Sequence, residues 1–272
     1  MFLAIDVGGT KTLLAVFDNH GKIMQQSKLA TAQEYPKFIN ELKNTVSLFK
    51  EHQIVACCCA LPGRLDRERG VGLSFGNLAW ENVPIKRDIS KLLDGADVMI
   101  ENDAKLAALS EALNHKEYKK IVYITIGTGI GFGIIINGKI EPEFADSEIG
   151  HMVLNHNGKL QKWESFASGK ALKERYGKQA SEIDDPAIWK EYVDDLVIGF
   201  DIVLAAFQPE LVIVGGGVGA HFNKFGSLLI QKLQTLDNKL VPIPPIIQAQ
   251  RPEDAVIYGC YDFIRQKIDA PV

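Results

Sequence analysis

The first residues here with chemical potential are an aspartate that closes a strand-like run and the two glycines it meets. They are Asp6, Gly8, Gly9, Thr10 and Lys11 of "FLAIDVGGTKTLLAVFD". Glycines in such a corner let the backbone approach a ligand closely, and successive amide N–H groups form an anion-binding concavity. Thr10 and Lys11 add a hydroxyl and a positive charge, and Asp6 suits a Mg2+ ion held through water. Taken alone, the corner also reads as a plain hairpin turn. A second corner repeats the design, with Gly127, Thr128, Gly129 and Gly131 in "IVYITIGTGIGFGIII". Two corners at equivalent places point to one polyphosphate gripped from both sides.

A third cluster, Gly215, Gly216 and Gly217 with Gly219, follows the apolar run "LVIV". Gly215, Gly217 and Ala220 fit the spacing of a dinucleotide fingerprint, but the context does not. Asp237, the next acid at a suitable distance, precedes a strand rather than ending one, and only about fifty residues remain for a sheet. A glycine platform beside an adenosine fits better, with a packing turn at a helix start as the simpler alternative. No Gly-x4-Gly-Lys-Ser/Thr run occurs, so this is not a P-loop.

"IENDAKLAAL" places Asp103 where a strand delivers the chain to a helix. A carboxylate there gains ~0.3–1 kcal/mol from the helix dipole, so it stays ionised near neutrality and can accept a proton. Asn102 or Asp103 as a simple helix cap is the competing reading. Phosphoryl transfer needs bound phosphates, a metal and a positioned base. General-base assistance of ~10²–10⁴-fold is within reach of one aspartate.

Glu148 and His151 in "SEIGHMVLNHNG" and Glu164 in "KWESFASGKAL" form a polar set able to bind a polyhydroxylated ligand, each carboxylate accepting from two hydroxyls. Solvated surface charge is the alternative. Zinc is a weak reading, because His151 has no nearby cysteine and His156 lies five residues on without helical support. Asn77, in "FGNLAWENVPI", adds a neutral donor and acceptor beside Trp80, which packing alone would explain.

These residues must be positioned by alternating elements. "MFLAIDV", "TLLAVFD" and "KIMQQSKLA" read as three consecutive strands, the last two joined by the turn "DNHG". A helix follows, with Phe38, Leu42, Val46 and Phe49 at helical spacing, then the buried strand "QIVACCCAL" and the strand-to-helix segment "ADVMIENDAKLAALSEALNH". The order returns as "KIVYITI", "FGIIING" and "KIEPEF", the last after an Asn137-Gly138 turn. "VDDLVIGFDIVLAAF" reads as a helix, "PELVIVGGGVG" as a strand and "FNKFGSLLIQKLQTL" as a helix. "VPIPPIIQAQ" then reads as a strand and "PEDAVIYGCYDFIRQKI" as a closing helix. Mixed α/β order of this kind predicts sheets covered by helices. Two similar halves predict two lobes with a cleft between them: residues 1–108, residues 109–253, and a closing helix within 254–272 that returns to the first lobe.

The 272 residues suffice for one large domain or two ordinary lobes, and 46% hydrophobic with 24% charged residues describes a soluble globular protein. A net charge of −4 gives no general pull towards nucleic acid or anionic membrane. No signal peptide and no run of ~18 apolar residues is seen, which predicts a cytoplasmic protein. Cys57, Cys58, Cys59 and Cys260 are the four cysteines, and the adjacent three cannot supply a spaced metal knuckle. They read as small buried residues in a reducing compartment.

Together, "AIDVGGTK", "LPG" at 61–63, "GNLAWENVP", "ENDAKLAALSE", "TIGTGIGFGIIINGKI", "SEIGHM", "WESFASGKAL" and "LVIVGGGVG" resemble the ROK family of bacterial sugar kinases over almost the whole chain. The resemblance implies an α/β, actin/hexokinase-like (ribonuclease H-like) two-lobed fold with a central cleft. It also implies ATP- and Mg2+-dependent phosphorylation of a hexose hydroxyl, with a glucose-like acceptor favoured. By position, Asp103 matches the catalytic base, and Asn77, Asn102, Asp103, Glu148, His151 and Glu164 match sugar contacts. Gly8, Gly9, Thr10, Lys11, Gly127, Thr128, Gly129 and Gly131 match phosphate motifs, and Gly215, Gly216 and Gly217 the adenosine side.

One departure stands out. Where the family carries a cysteine-rich zinc segment, "NHNGKLQKWESF" keeps Glu164 and has no cysteine, so no structural zinc is expected. That loop must be held otherwise, as by Trp163 and Phe166 packing inward. Some polyphosphate glucokinases of this type are also short and lack zinc, which makes polyphosphate an alternative donor. A non-catalytic sugar sensor is the alternative from another class. The family's repressors carry a helix-turn-helix ahead of the first corner, where this chain has five residues before Asp6. Homodimerisation is a further family expectation.

Overall fold

The computed structural model describes residues 1–236 and 239–269; Asp237 and the last three residues of the closing segment lie outside them. The chain divides into two compact units. One comprises Met1–Ser110 and the segment from Asp254, the other Glu111–Glu253.

In the first unit, β1 (Phe2–Val7), β2 (Lys11–Phe17) and β3 (Ile23–Ala30) form the meander, followed by α1 (Tyr35–Val46) and β4 (Ala56–Leu61). A small antiparallel sheet of β5 (Arg64–Asp66), β6 (Val71–Ser74) and β7 (Glu81–Val83) comes next, then α2 (Ile85–Ser90), β8 (Asp97–Asn102) and α3 (Asp103–Ala112). The main sheet has the order β3-β2-β1-β4-β8, with β1, β4 and β8 parallel. The second unit carries β9 (Lys120–Ile126), β10 (Ile130–Ile136), β11 (Lys139–Ile140), β12 (Val153–His156) and β13 (Lys159–Lys162). Helices α4 (Glu164–Ala167), α5 (Gly169–Tyr176) and α6 (Pro186–Phe207) follow, then β14 (Leu211–Gly215), α7 (Gly216–Gly219), α8 (Phe222–Gln234) and β15 (Ile246–Gln248). Its main sheet, β11-β10-β9-β14-β15, repeats the first sheet's order and strand sense. The chain ends in α9 (Ala255–Ile268), which packs on β1 and β4 of the first unit.

Local chemistry explains these bounds. Proline near its start fits α1 to begin a helix, and the buried Phe38 and Leu42 make its inner face. Burying side chains of that size contributes roughly 1.5–3 kcal/mol each. The third strand of the second meander is shorter than the pattern of "KIEPEF" predicts. Pro142 cannot donate to a ladder, so pairing stops at Ile140 and a 3-10 turn follows. Conversely, α6 starts seven residues before the apolar run "VDDLVIGF". Asp185 caps it by accepting from the Ala187 amide at 2.9 Å, and Pro186 occupies its first position. All three adjacent cysteines lie inside β4, a strand buried on both faces. Burial holds their thiols well above the usual range, so they are unreactive packing residues.

Gly259 brings α9 close to α3, because a Cβ there would overlap the Leu106 carbonyl. Backbone cannot yield as a side chain does. Gly259→Ala should therefore lower unfolding free energy by about 1–3 kcal/mol, measured by urea denaturation; an unchanged midpoint would contradict this packing.

Candidate functional site

The parallel register of β1, β4 and β8 brings carboxylates to one end of the first unit's sheet. Asp6 lies opposite Ala60, and Ala60 opposite Glu101. The C-terminal ends of parallel strands are where open α/β sheets bind ligands, because the chain leaves the sheet there in loops. Asn102 and Asp103 follow Glu101 directly.

The junction is tightly built. Asn102, buried, is the cap of α3: its Oδ1 accepts from the amides of Ala104 at 3.1 Å and Lys105 at 3.3 Å, and its Nδ2 donates to the Gly63 carbonyl at 3.3 Å. Asp103 is thus in the first turn of the helix, partly exposed, with Oδ1 accepting from the Ala104 amide at 2.7 Å. Glu101 is 3% exposed, and its charge is met by Arg67, whose Nε and Nη2 donate at 2.9 and 2.7 Å. The same carboxylate accepts the Asn102 amide at 2.7 Å, so the ion pair fixes the residue preceding Asp103.

Asp6 is electrostatically coupled to this junction. Burial first, and then the negative charge of Asp103, push its carboxyl from 3.8 to about 7, while Lys11 draws it down. Among the described residues no group of three or more His, Cys, Asp or Glu is set to hold a metal ion. Mg2+ does not need one, since it keeps several waters and binds through one or two carboxylates together with phosphates. A carboxylate crowded by a second negative charge fits that demand, because a cation would relieve both.

The first glycine corner is shaped by packing. Gly8 donates to the Lys11 carbonyl at 3.0 Å, and a Cβ on Gly9 would lie 2.8 Å from that of Asn77. Gln33 ties the same two segments, donating to the Gly9 carbonyl at 3.4 Å and accepting from the Ala79 amide at 3.3 Å. Trp80 anchors the Asn77 loop from below, buried against Phe38 with its Nε1 donating to the Ala32 carbonyl at 3.2 Å. The structure therefore gathers Asp6, the first corner, Asn77, Asn102 and Asp103 within the first unit.

In the second unit the corner at Gly127–Gly131 closes on itself, Gly127 donating to the Gly129 carbonyl at 2.9 Å. Its Gly127 carbonyl accepts the Gly169 amide of α5 at 2.7 Å. Glu164 lies against it: a Cβ on Gly129 would sit 2.6 Å from a Glu164 oxygen, and the Ile130 amide donates to that oxygen at 3.4 Å. His151 Nε2 is 3.2 Å from the other Glu164 oxygen, while the Lys162 ammonium faces Nδ1 at 3.3 Å. Lysine can only donate, so Nε2 carries the proton toward Glu164. Glu148 is exposed, and its carbonyl accepts the His151 amide at 3.1 Å. Gly216 stands beside the same corner with φ +79°, and a Cβ on it would lie 2.6 Å from Thr125 Oγ1. At Gly127 and Gly217, by contrast, a Cβ would meet nothing. Trp163 and Phe166 are both buried.

Sequence reading does not find Arg67, Glu101, Arg175 or Asp195. Two of them left a trace: Glu101 is an acid at the end of a buried strand, and Asp195 falls on the apolar stripe of α6 with Tyr192, Leu196 and Gly199.

Two outcomes follow. Replacing Arg67 by Met strands the Glu101 charge; because Arg67 is partly exposed, the loss should be about 2–3 kcal/mol, below the ~3–5 of a fully buried pair. Denaturant titration measures it. Asp6 has a folded pKa raised from 3.8 to about 7, so the folded state keeps a proton that the unfolded chain releases. Its contribution is present at low pH and is lost as pH rises through about 7. Between pH 5 and 8 the ligand-free protein should lose more stability than Asp6→Asn, and parallel curves for the two would refute the coupling.

The chain is similar to known proteins over most of its length. The chain is 28% identical over 291 residues to an N-acetyl-D-glucosamine kinase of Citrobacter koseri, covering 92% of this chain and 94% of that one. It is 30% identical to a fructokinase of Lactococcus lactis subsp. cremoris, covering 86% and 85%. A ROK family glucokinase from Streptomyces griseus, in complex with glucose and AMPPNP, superposes with a TM-score of 0.83 at 25% identity, covering 97% of this chain and 99% of that one. The fold is thereby of the actin/hexokinase type. The ROK family model matches residues 2–267, and the chain belongs to the ROK family.

Proposed function

We propose that this protein transfers the γ-phosphoryl group of ATP to a hydroxyl of a hexose, with glucose or a close relative as acceptor. As a member of the ROK family whose curated relatives named above are an N-acetyl-D-glucosamine kinase and a fructokinase, it is a carbohydrate kinase. The single observation that carries the finer reading is the construction around Asp103. A carboxylate is held in the first turn of a helix by a capping asparagine and a buried ion pair, and is coupled to a second carboxylate beside a glycine corner.

In this reading Asp103 accepts the proton of the sugar hydroxyl as that oxygen attacks the γ-phosphorus in line, while the bond from that phosphorus to the β,γ-bridging oxygen breaks and ADP leaves. The positive end of the helix favours negative charge at Asp103, and the Ala104 amide limits the freedom of its carboxylate. Asn77 and Asn102 in the first unit offer neutral hydrogen-bonding groups to sugar hydroxyls. Glu148, His151 and Glu164 in the second offer two carboxylate acceptors and an imidazole whose N–H is directed at Glu164. Gly8–Lys11 and Gly127–Gly131 are assigned to phosphates, and the open faces of Gly127 and Gly217 leave backbone accessible to a nucleotide. Asp6 would hold Mg2+ through water, and the ion, when bound, would supply charge neutralisation for the phosphates.

Asp103→Asn should reduce turnover by at least ~10²–10⁴-fold, the usual worth of a general base, while calorimetry shows sugar binding retained. Near-normal turnover would remove Asp103 from the mechanism. A panel of hexoses against ATP and inorganic polyphosphate, read by donor consumption, decides acceptor and donor together. Sugar binding without ADP release or polyphosphate consumption would instead make the protein a sensor.

A further inference from the structure

The segment that separates His151 from Glu164 is a two-stranded hairpin, β12 and β13, turning at Asn157-Gly158 with both residues at positive φ. Among the described residues it pairs with no other strand, and its outer face leaves Val153 and Leu160 61% and 77% exposed. Isolated hairpins of this size are marginal in water, so the ladder alone does not hold its two ends in register with the second corner.

Its tip is tied down by a carboxylate from another element. Asp195 on α6 is nearly buried, and each of its oxygens has a cationic or N–H donor from a different part of the unit. His156 Nε2 donates to Oδ1 at 2.8 Å and Arg175 Nη1 to Oδ2 at 2.6 Å. The imidazole lies flat on Phe166, centroids 4.1 Å apart and planes 6° from parallel. Arg175 also donates to the Phe166 carbonyl at 3.4 Å, and Trp163 Nε1 to the Asp195 carbonyl at 3.2 Å. The base of the hairpin closes through the Trp163 amide and the Met152 carbonyl at 2.9 Å. Trp163 immediately precedes Glu164, and Met152 immediately follows His151.

We propose that Asp195, with its donors His156 and Arg175, is the positioning element for the His151–Glu164 pair. The inference rests on the reading of that pair as sugar-binding. Hydrophobic contact alone would permit the hairpin to slide or lift, since apolar surfaces are tolerant of small shifts. A buried carboxylate is not tolerant, because only one placement of His156 and Arg175 leaves it fully bonded. Asp195 thereby converts a loosely supported hairpin into one arrangement and holds the imidazole of His151 within reach of Glu164. None of the three residues touches substrate in this proposal.

The test uses the full-length enzyme and separates positioning from stability. His156→Phe keeps the stack on Phe166 and removes the donor; His156→Gln replaces ring Nε2 with an amide donor. At a temperature where both are folded by circular dichroism, His156→Phe should raise the sugar KM at least tenfold and leave the ATP KM within twofold, and His156→Gln should restore most of the loss. A folded His156→Phe with sugar KM within twofold of the parent overturns the proposal, as does equal loss in both variants. If His156→Phe does not fold, the His156→Phe, Asp195→Leu pair replaces both partners by apolar groups and carries the same expectation. Should the parent phosphorylate no sugar, the sugar-kinase reading fails by itself. Hydrogen exchange then decides the anchor: faster exchange across residues 151–164 in His156→Phe supports it, and unchanged exchange overturns it.

Discussion

Negative charge concentrated at one end of the parallel strands β1 and β8, on either side of β4, is the constraint around which the first unit is organised. Parallel pairing of β1, β4 and β8 puts Asp6 and Glu101 at the same level, and the next turn of chain adds Asp103. Each carboxylate is stabilised differently. Glu101 has a guanidinium with fork geometry, Asp103 has a helix N-terminus, and Asp6 has only Lys11 against a larger opposing effect of burial and a like charge. The residue least well compensated by protein is therefore the one with most to gain from a cation.

The second unit uses the same sheet order for another purpose. Its corner closes against the N-terminus of α5 and receives Glu164 in the space that a Cβ at 129 would take from its carboxylate. Glycine is required at 216 by its positive φ and the Ile126 backbone, and a Cβ at 129 would displace the Glu164 carboxylate, whereas 127 and 217 face open space. A residue kept small by its own packing says nothing about a ligand. One without that reason is where close approach by something other than protein is the better explanation.

Buried ion pairs occur beside two segments that carry the proposed site residues. Arg67–Glu101 secures the strand-to-helix junction, and Asp195 with His156 and Arg175 secures the hairpin between two polar site residues. Such pairs contribute little net stability, because desolvation offsets much of their attraction. What they supply is a preference for one geometry, which a site built on loops cannot obtain from apolar packing.

Much of this was legible in the linear order of residues. Strand alternation, glycine corners and the acid before an apolar helix locate Asp6, both corners and Asp103, because those signals are local and recur at the period of the element that carries them. The whole-chain motif order carried the family. Where local chemistry was missed, it was still local: Pro142 ended a strand early, and Asp185-Pro186 opened α6 ahead of its apolar run. The partnerships of Arg67 with Glu101, 34 residues apart, and of His156 with Asp195, 39 apart, have no periodic signature. A charged side chain looks the same in sequence whether solvent or a buried counter-charge receives it. Only the folded chain, by removing water from one side of each pair, decides which carboxylates must be answered by protein and which remain for a ligand.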